Sequence, residues 1–197
     1  MLSLEGSDIL LCIINSYGDP NLTVHAGQML RECIRTRCIH EKLLSDPLLL
    51  EPLFTKYIYD ENFDVSSDAS QSIRDLLRRN KQLVSIKLQP DSELFHTLFS
   101  WYTTMLNKQN YIINRVMLKL LGEFLLDKIN FNIMIAFVSE VENLKCIMNL
   151  LLSPYATIQF DAFNIFKVGN DTQVFLIVDF RCKSRQIRNG EDCVAVK

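Results

Sequence analysis

The chain has 197 residues, of which 48 % are hydrophobic, enough to fill a core and too many for a disordered polypeptide. Lys and Arg total 21 against 23 Asp and Glu, so the net charge of −2 lacks the basic excess expected of a nucleic-acid binder. There is no secretory leader pattern, and no apolar run nears the roughly 18 residues that span a bilayer, which predicts a soluble cytoplasmic protein. Six cysteines in a chain of this length do not make a disulfide scaffold. Cys12, Cys33 and Cys146 fall within apolar helical patterns, so buried, reduced thiols are expected.

Residues 8–17 are apolar at helical spacing and stop at Gly18-Asp19-Pro20, a turn signal. They have the character of a last helix in a repeat, with no polar cap over the outer face, so the chain is expected to begin inside an array. A longer amphipathic helix follows over 21–35, then a short one near 40–44. Ser45-Asp46-Pro47 supplies an N-cap acid with proline at the first helical position, and opens a third helix over 48–59. The order long, short, long then recurs over 63–79, 82–88 and 93–106, and again over 111–127, 131–138 and 142–152. A fourth unit opens at 157–167 behind Ser153-Pro154.

The first helix of each unit carries one motif. Aligning Ala26, Ala69, Met117 and Ala162 brings Leu30, Ile73, Leu121 and Phe166 into register, and likewise Leu22, Val65, Ile113 and Ile158. The spacings are 69 − 26 = 43, 117 − 69 = 48 and 162 − 117 = 45 residues, within the range of HEAT and armadillo repeats. The predicted fold is therefore all-α: an armadillo/HEAT-like right-handed solenoid over 1–168, with about three repeats and a partial fourth. Beyond it the pattern stops. Gly169-Asn170-Asp171 interrupts the helix, Val174–Phe180 has strand character, and 169–197 is expected to be a loosely packed tail.

In the clearest copy, Tyr111 to Asp127, Arg115 and Lys119 stand one turn apart, off the apolar stripe. Taken alone they are either an ordinary solvated face or, beside Tyr111 and Phe131, a partner-binding face of the aromatic and cationic kind found at interface hot spots. Met148 lies among Leu144, Ile147, Leu151 and Leu152, a setting typical of core packing. Arg78, Arg79 and Lys81 either bind an anion or complement a helix C-terminus.

Catalytic and cofactor signals are thin. Cys33, Cys38 and His40 lack the further ligand of a zinc site, His25 and His96 have no triad partners, and no glycine-rich phosphate loop occurs. Asp60, Asn62 and Asp64 alternate like the start of an EF-hand loop, but Val65 replaces its glycine and Gln71 its glutamate. They predict a turn and a helix cap. No metal, calcium site, cofactor or enzymatic activity is expected.

The stretches GQMLRECIR, FDVSSDA with RDLLRR, LKLLGEFLLD, ENLKCIMNLL and IQFDAFNIFKV occur in one unbroken order from Ile9 to Val168. In this they resemble the calcium-binding protein 39 family, also called mouse protein 25. The resemblance implies the middle and later repeats of a longer scaffold, without its amino-terminal ones and divergent after Val168. It implies a noncatalytic protein that binds and activates protein kinases of the germinal-centre type or STRAD-like pseudokinases. It also carries over contact positions: Tyr111, Arg115 and Lys119 on the motif helix, then Lys128 and Phe131. Lys128 stands where the family commonly has arginine, and a lysine keeps the charge but loses the bidentate fork. Met148 matches a wall of the pocket that takes a short Trp-Glu-Phe tail, a pocket whose other walls come from family helices beyond Val168. Alternatives are a helical-repeat adaptor that does not alter kinase activity, and a shortened variant of reduced activity.

Overall fold

The computed structural model describes residues 2–108 and 110–167 of the chain, with side chains from residue 8 onward. Every regular element among them is helical: α1 (Leu2–Asn15), α2 (Thr23–Arg35), α3 (Arg37–Ser45), α4 (Pro47–Thr55), α5 (Phe63–Arg78), α6 (Lys81–Lys87), α7 (Glu93–Asn107), α8 (Tyr111–Leu125), α9 (Phe131–Ser139), α10 (Val141–Leu151) and α11 (156–167). Single 3₁₀ turns at Ser16–Gly18, Tyr57–Tyr59 and Lys128–Asn130 sit between them. The strand expected at 174–180, and the tail containing it, lie outside the described residues.

Local chemistry sets where these helices start. Asp46 accepts from the Leu48 amide ahead of Pro47, Asn62 from Asp64, Ser92 from Phe95, and Asn110 from both Ile112 and Ile113. Each side chain satisfies one or two of the amides that a helix leaves unpaired at its first turn. Asp60 in turn accepts from the Asn62 amide, so the alternating Asp60, Asn62 and Asp64 form a turn and cap. The helix expected over 48–59 ends at Thr55 and tightens into the 3₁₀ turn after Lys56. Tyr57 is buried there against Tyr17, ring centroids 5.4 Å apart.

Packing arranges the helices in rows. The motif helices α2, α5 and α8 pack in succession, and α11 continues the row where Ile165 meets Gly122. A second row is α1, α4, α7 and α10, and a third joins α3, α6 and the 3₁₀ turn at Lys128–Asn130. Along each row an element thus touches its counterpart some 45 residues away, which makes the chain an armadillo-like helical solenoid. The repeat register holds in three dimensions: Ala26, Ala69, Met117 and Ala162 are all buried, as are Leu30, Ile73 and Leu121. An aromatic seam runs through the second row from Trp101 on Phe54 through Tyr102 to Phe99, and on to Phe137 of α9.

Turns are locked by side chains reaching back to the preceding helix end. Thr23 donates to the Tyr17 carbonyl, Asn130 to Phe124 and Asn143 to Phe137, each six residues back, and Asn114 donates to Leu106. These four are among the buried polar residues that hydropathy alone cannot explain; they pair carbonyls that the helix ends leave open.

The thiols depart from expectation. Cys146 is buried, but Cys12 and Cys38 are exposed and Cys33 is half-buried. The apolar residues flanking Cys12 mark α1 as amphipathic without saying where its seam lies. Ile13 and Ile14 take the inner positions and turn Cys12 outward.

Candidate partner-binding face

On α8, Ile113, Met117, Leu120, Leu121 and Phe124 are buried, which leaves Arg115 and Lys119 on the open side. Arg115 donates to the Tyr111 hydroxyl at 3.1 Å, and that hydroxyl lies 3.5 Å from the Thr157 Oγ1 of α11. The Tyr111 ring rests on Tyr155, centroids 4.4 Å apart. Hydrogen bonds from Thr157 and Arg115 hold the Tyr111 phenol below its ordinary pKa, because both favour the phenolate oxygen. Tyr111 is therefore a fixed half-buried platform, with Arg115 laid along it.

Between α8 and α11 runs an open cleft of about 380 Å³ lined by Arg115, Lys119, Ala156, Thr157, Phe160 and Asp161. Phe160 stands 66 % exposed beside the two cations. Lys119 has neither an ion pair nor a hydrogen bond among the described residues. A second groove, of about 190 Å³, opens between α5 and α8, with Phe63, Ser67, Arg74, Ile112 and Val116 along it. Phe63 and Ile112 are strongly exposed. The two grooves flank one stripe. Its register positions, Val24, Ser67, Arg115 and Phe160, are exposed in all four copies.

The structure brings Tyr111, Arg115 and Lys119 together on α8. Lys128 and Phe131 follow where the chain leaves that helix, both exposed, Lys128 in the 3₁₀ turn and Phe131 at the start of α9. Met148 stands apart in the second row on α10, and it is exposed, so the core-packing alternative does not hold for it. Its neighbour Asn149 lines a cavity of about 490 Å³ bounded by Leu106, Asn114, Leu152, Pro154 and Tyr155. Phe160, Phe63, Ile112 and Tyr155 carry no motif that singles them out. For Phe160 one signal exists: it takes the register position of Arg115, where a buried residue never falls.

Arg78 lies in the last turn of α5 and Arg79 caps its end, the placement that complements the helix C-terminus, and all three cations are also engaged in ion pairs. Arg78 pairs with Glu123, Arg79 with Asp75, and Lys81 with Asp127 at 2.7 Å, so two of the three tie the second repeat to the third. The Lys81 ammonium, with the Ile129 amide, holds the Asp127 carboxyl below its ordinary pKa. His40 is buried, with Nε2 2.9 Å from the Leu76 carbonyl and Nδ1 2.8 Å from the Asn80 side-chain nitrogen. Both ring nitrogens are engaged within the fold, so neither faces Cys33 or Cys38 as a ligand. Among the described residues no three His, Cys, Asp or Glu side chains are grouped to hold a metal ion, and no helix is long and apolar enough to cross a membrane.

The Mo25-like family model matches residues 2–180. The chain belongs to the Mo25-like family.

Among its Mo25-like relatives, mouse calcium-binding protein 39-like is 42 % identical over 160 residues, 81 % of this chain and 46 % of that protein. The degreening-related gene dee76 protein of Auxenochlorella protothecoides is 45 % identical over 165 residues, 84 % of this chain and 50 % of its own length. The Mo25-like protein of Schizosaccharomyces pombe is 35 % identical over 165 residues, 84 % of this chain and 49 % of its own. The chain spans about half the length of these curated relatives. The family match runs to residue 180, past the Val168 at which the quoted motifs end.

Proposed function

We propose that this Mo25-like chain is a noncatalytic, cytoplasmic scaffold that binds protein kinases of the germinal-centre type or STRAD-like pseudokinases and favours their active conformation. Membership of the Mo25-like family supports the scaffold role. The observation that carries the reading is the cleft beside α8, where the unpaired Lys119, Arg115 on its tyrosine platform and the exposed Phe160 present cations and an aromatic side by side. Such a surface suits a partner segment carrying carboxylates next to apolar side chains. Lys128 and Phe131 extend it with the same pairing. A scaffold of this kind shifts its partner only as far as its affinities for the active and inactive states differ.

The test is an in vitro assay of a germinal-centre kinase with and without the purified chain, beside Tyr111→Ala and Arg115→Ala. Stimulation that either substitution abolishes supports the reading; stimulation that both leave intact removes α8 from the contact. A second reading is an adaptor that binds without activating, as a surface with equal affinity for the active and inactive states of its partner would do. Binding without stimulation distinguishes it.

A further inference from the structure

Successive junctions between the motif helices differ at one register pair. Arg31 stands five residues after Ala26 and Asp68 one residue before Ala69, and the two meet at 2.9 Å where α2 packs on α5. The same steps from Ala69 and Met117 lead to Arg74 and Val116. Where α5 packs on α8 the cation is therefore kept, and an isopropyl group replaces its carboxylate. Arg74 is half-buried and makes neither an ion pair nor a hydrogen bond among the described residues. A guanidinium in this state has given up water and gained no partner. Its charge also reaches the core: burial pushes the Tyr102 phenol far above its ordinary pKa, and Arg74 draws it part of the way back.

The groove of about 190 Å³ that holds Arg74 has no carboxylate in its lining. Both its walls are interior to the row, α2 lying beyond α5 and α11 beyond α8. Position 116 is closed to the arrangement of the first junction. Asp68 fits there only because it packs over Gly27, and the register counterpart of Gly27 is Ser70, whose side chain would meet an acid at 116. Ser70 turns its hydroxyl back to the Ser66 carbonyl at 2.8 Å. Exposed Ser67 makes no hydrogen bond among the described residues, and Phe63 and Ile112 form a strongly exposed apolar rim.

We propose that the protein partner supplies the missing carboxylate: an Asp or Glu side chain of its docking segment pairs with Arg74 in the groove between α5 and α8, while an apolar neighbour packs on Phe63 and Ile112. This rests on the scaffold function proposed above and adds to the cleft beside α8 a second contact of defined chemistry. Asp68 sets both its oxygens on Arg31 at the first junction, so a carboxylate is the group this register position already accommodates. The Ser67 hydroxyl is free to donate to the same group. One cation in a groove of this size suits a singly charged carboxylate, whereas a phosphate brings up to two charges and three strong acceptor oxygens.

Calorimetric titration of a purified STRAD-like pseudokinase into the 197-residue chain tests this, beside Arg74→Gln, Arg74→Lys, Arg115→Ala and the double variant Ser70→Gly with Val116→Asp. Arg74→Gln should raise the dissociation constant at least about tenfold, for loss of a charged pair. Arg74→Lys, which keeps the charge without the planar fork, should raise it less. The double variant transplants Gly27 and Asp68 to the second junction. Arg74 is then paired from within, and binding should be as weak as in Arg74→Gln although the arginine is still present. Far-UV circular dichroism of each variant confirms that the helices are intact. Phosphatase treatment of the pseudokinase should leave its affinity unchanged; a loss would assign the anion to a phosphate and overturn the carboxylate. Wild-type affinity in Arg74→Gln overturns the inference, and leaves the scaffold function standing where Arg115→Ala still weakens binding. A wild-type chain that does not bind the pseudokinase overturns both.

Discussion

Asp68 of α5 occupies the space that a side chain at Gly27 of α2 would need: a methyl there would overlap the carboxylate, its carbon 2.5 Å from Cγ. The close approach lets Asp68 meet Arg31 through both oxygens, at 2.9 and 3.0 Å. Arg31 also donates to Ser72, which is 2.7 Å from the buried Tyr17 hydroxyl. Burial is the main reason that the Tyr17 phenol lies well above its ordinary pKa. Two repeats are joined here by a mostly buried polar chain that only a glycine admits.

Gly27→Ala should destabilise the fold by about 1 kcal/mol. The loss of charged hydrogen bonds, roughly 1.5–3 kcal/mol, exceeds the roughly 1 kcal/mol gained in helix propensity. In an Asp68→Ala background only the Arg31 guanidinium, 2.9 Å from the new methyl and released from its carboxylate, has to swing aside, so the same substitution should stabilise. Urea midpoints of the four chains in this cycle decide it; Gly27→Ala having one sign in both backgrounds would show that Asp68 does not set the need for glycine.

Arg115→Glu with Lys119→Glu should weaken kinase or pseudokinase binding by about tenfold or more, through like-charge repulsion at the cleft, without lowering thermal stability. Neither cation makes an ion pair inside the fold. Calorimetric titration alongside a thermal melt separates the two effects; unchanged affinity would move the contact elsewhere.

Stability should fall on mild acidification because of His40. Its Nδ1 accepts from Asn80, so a proton there would face another donor, and burial holds the imidazole below its ordinary pKa. The folded-state value is the lower one, so the unfolded chain takes up the proton first. The contribution is whole at neutral pH and is lost as pH falls below about 6.5, by at most about 1.4 kcal/mol per pH unit. Urea midpoints at pH 7.5 and 5.5 should differ more for the wild type than for His40→Gln.

The cysteines should separate by reactivity. Burial pushes the Cys146 thiol up to about 11, leaving about one part in a thousand as thiolate at pH 8. Cys12 and Cys38 are open to solvent. Alkylation at pH 8 followed by peptide mass mapping should label those two while Cys146 stays unmodified until denaturant is added.

Glu123→Gln and Asp127→Asn should each cost no more than about 1 kcal/mol, since surface pairs gain little in water. That cost should vanish in 1 M salt, where screening shortens to about 3 Å. A loss that persists in high salt would assign Arg78 and Lys81 a packing role instead.

The sequence by itself determined the helices, their order and the repeat. Apolar spacing and capping residues such as Asp46, Asn62 and Ser92 act within a few positions of the chain. It also marked Arg115 and Lys119 as lying off the buried stripe, for the same local reason. Only the tertiary structure decided what each face meets, because the side-chain ties between counterpart helices, such as Arg31 to Asp68 and Arg78 to Glu123, join residues 37 and 45 positions apart. That is why Arg78 and Lys81 became ties to Glu123 and Asp127, why Phe160 came to stand beside Arg115, and why Gly27 became indispensable to Asp68.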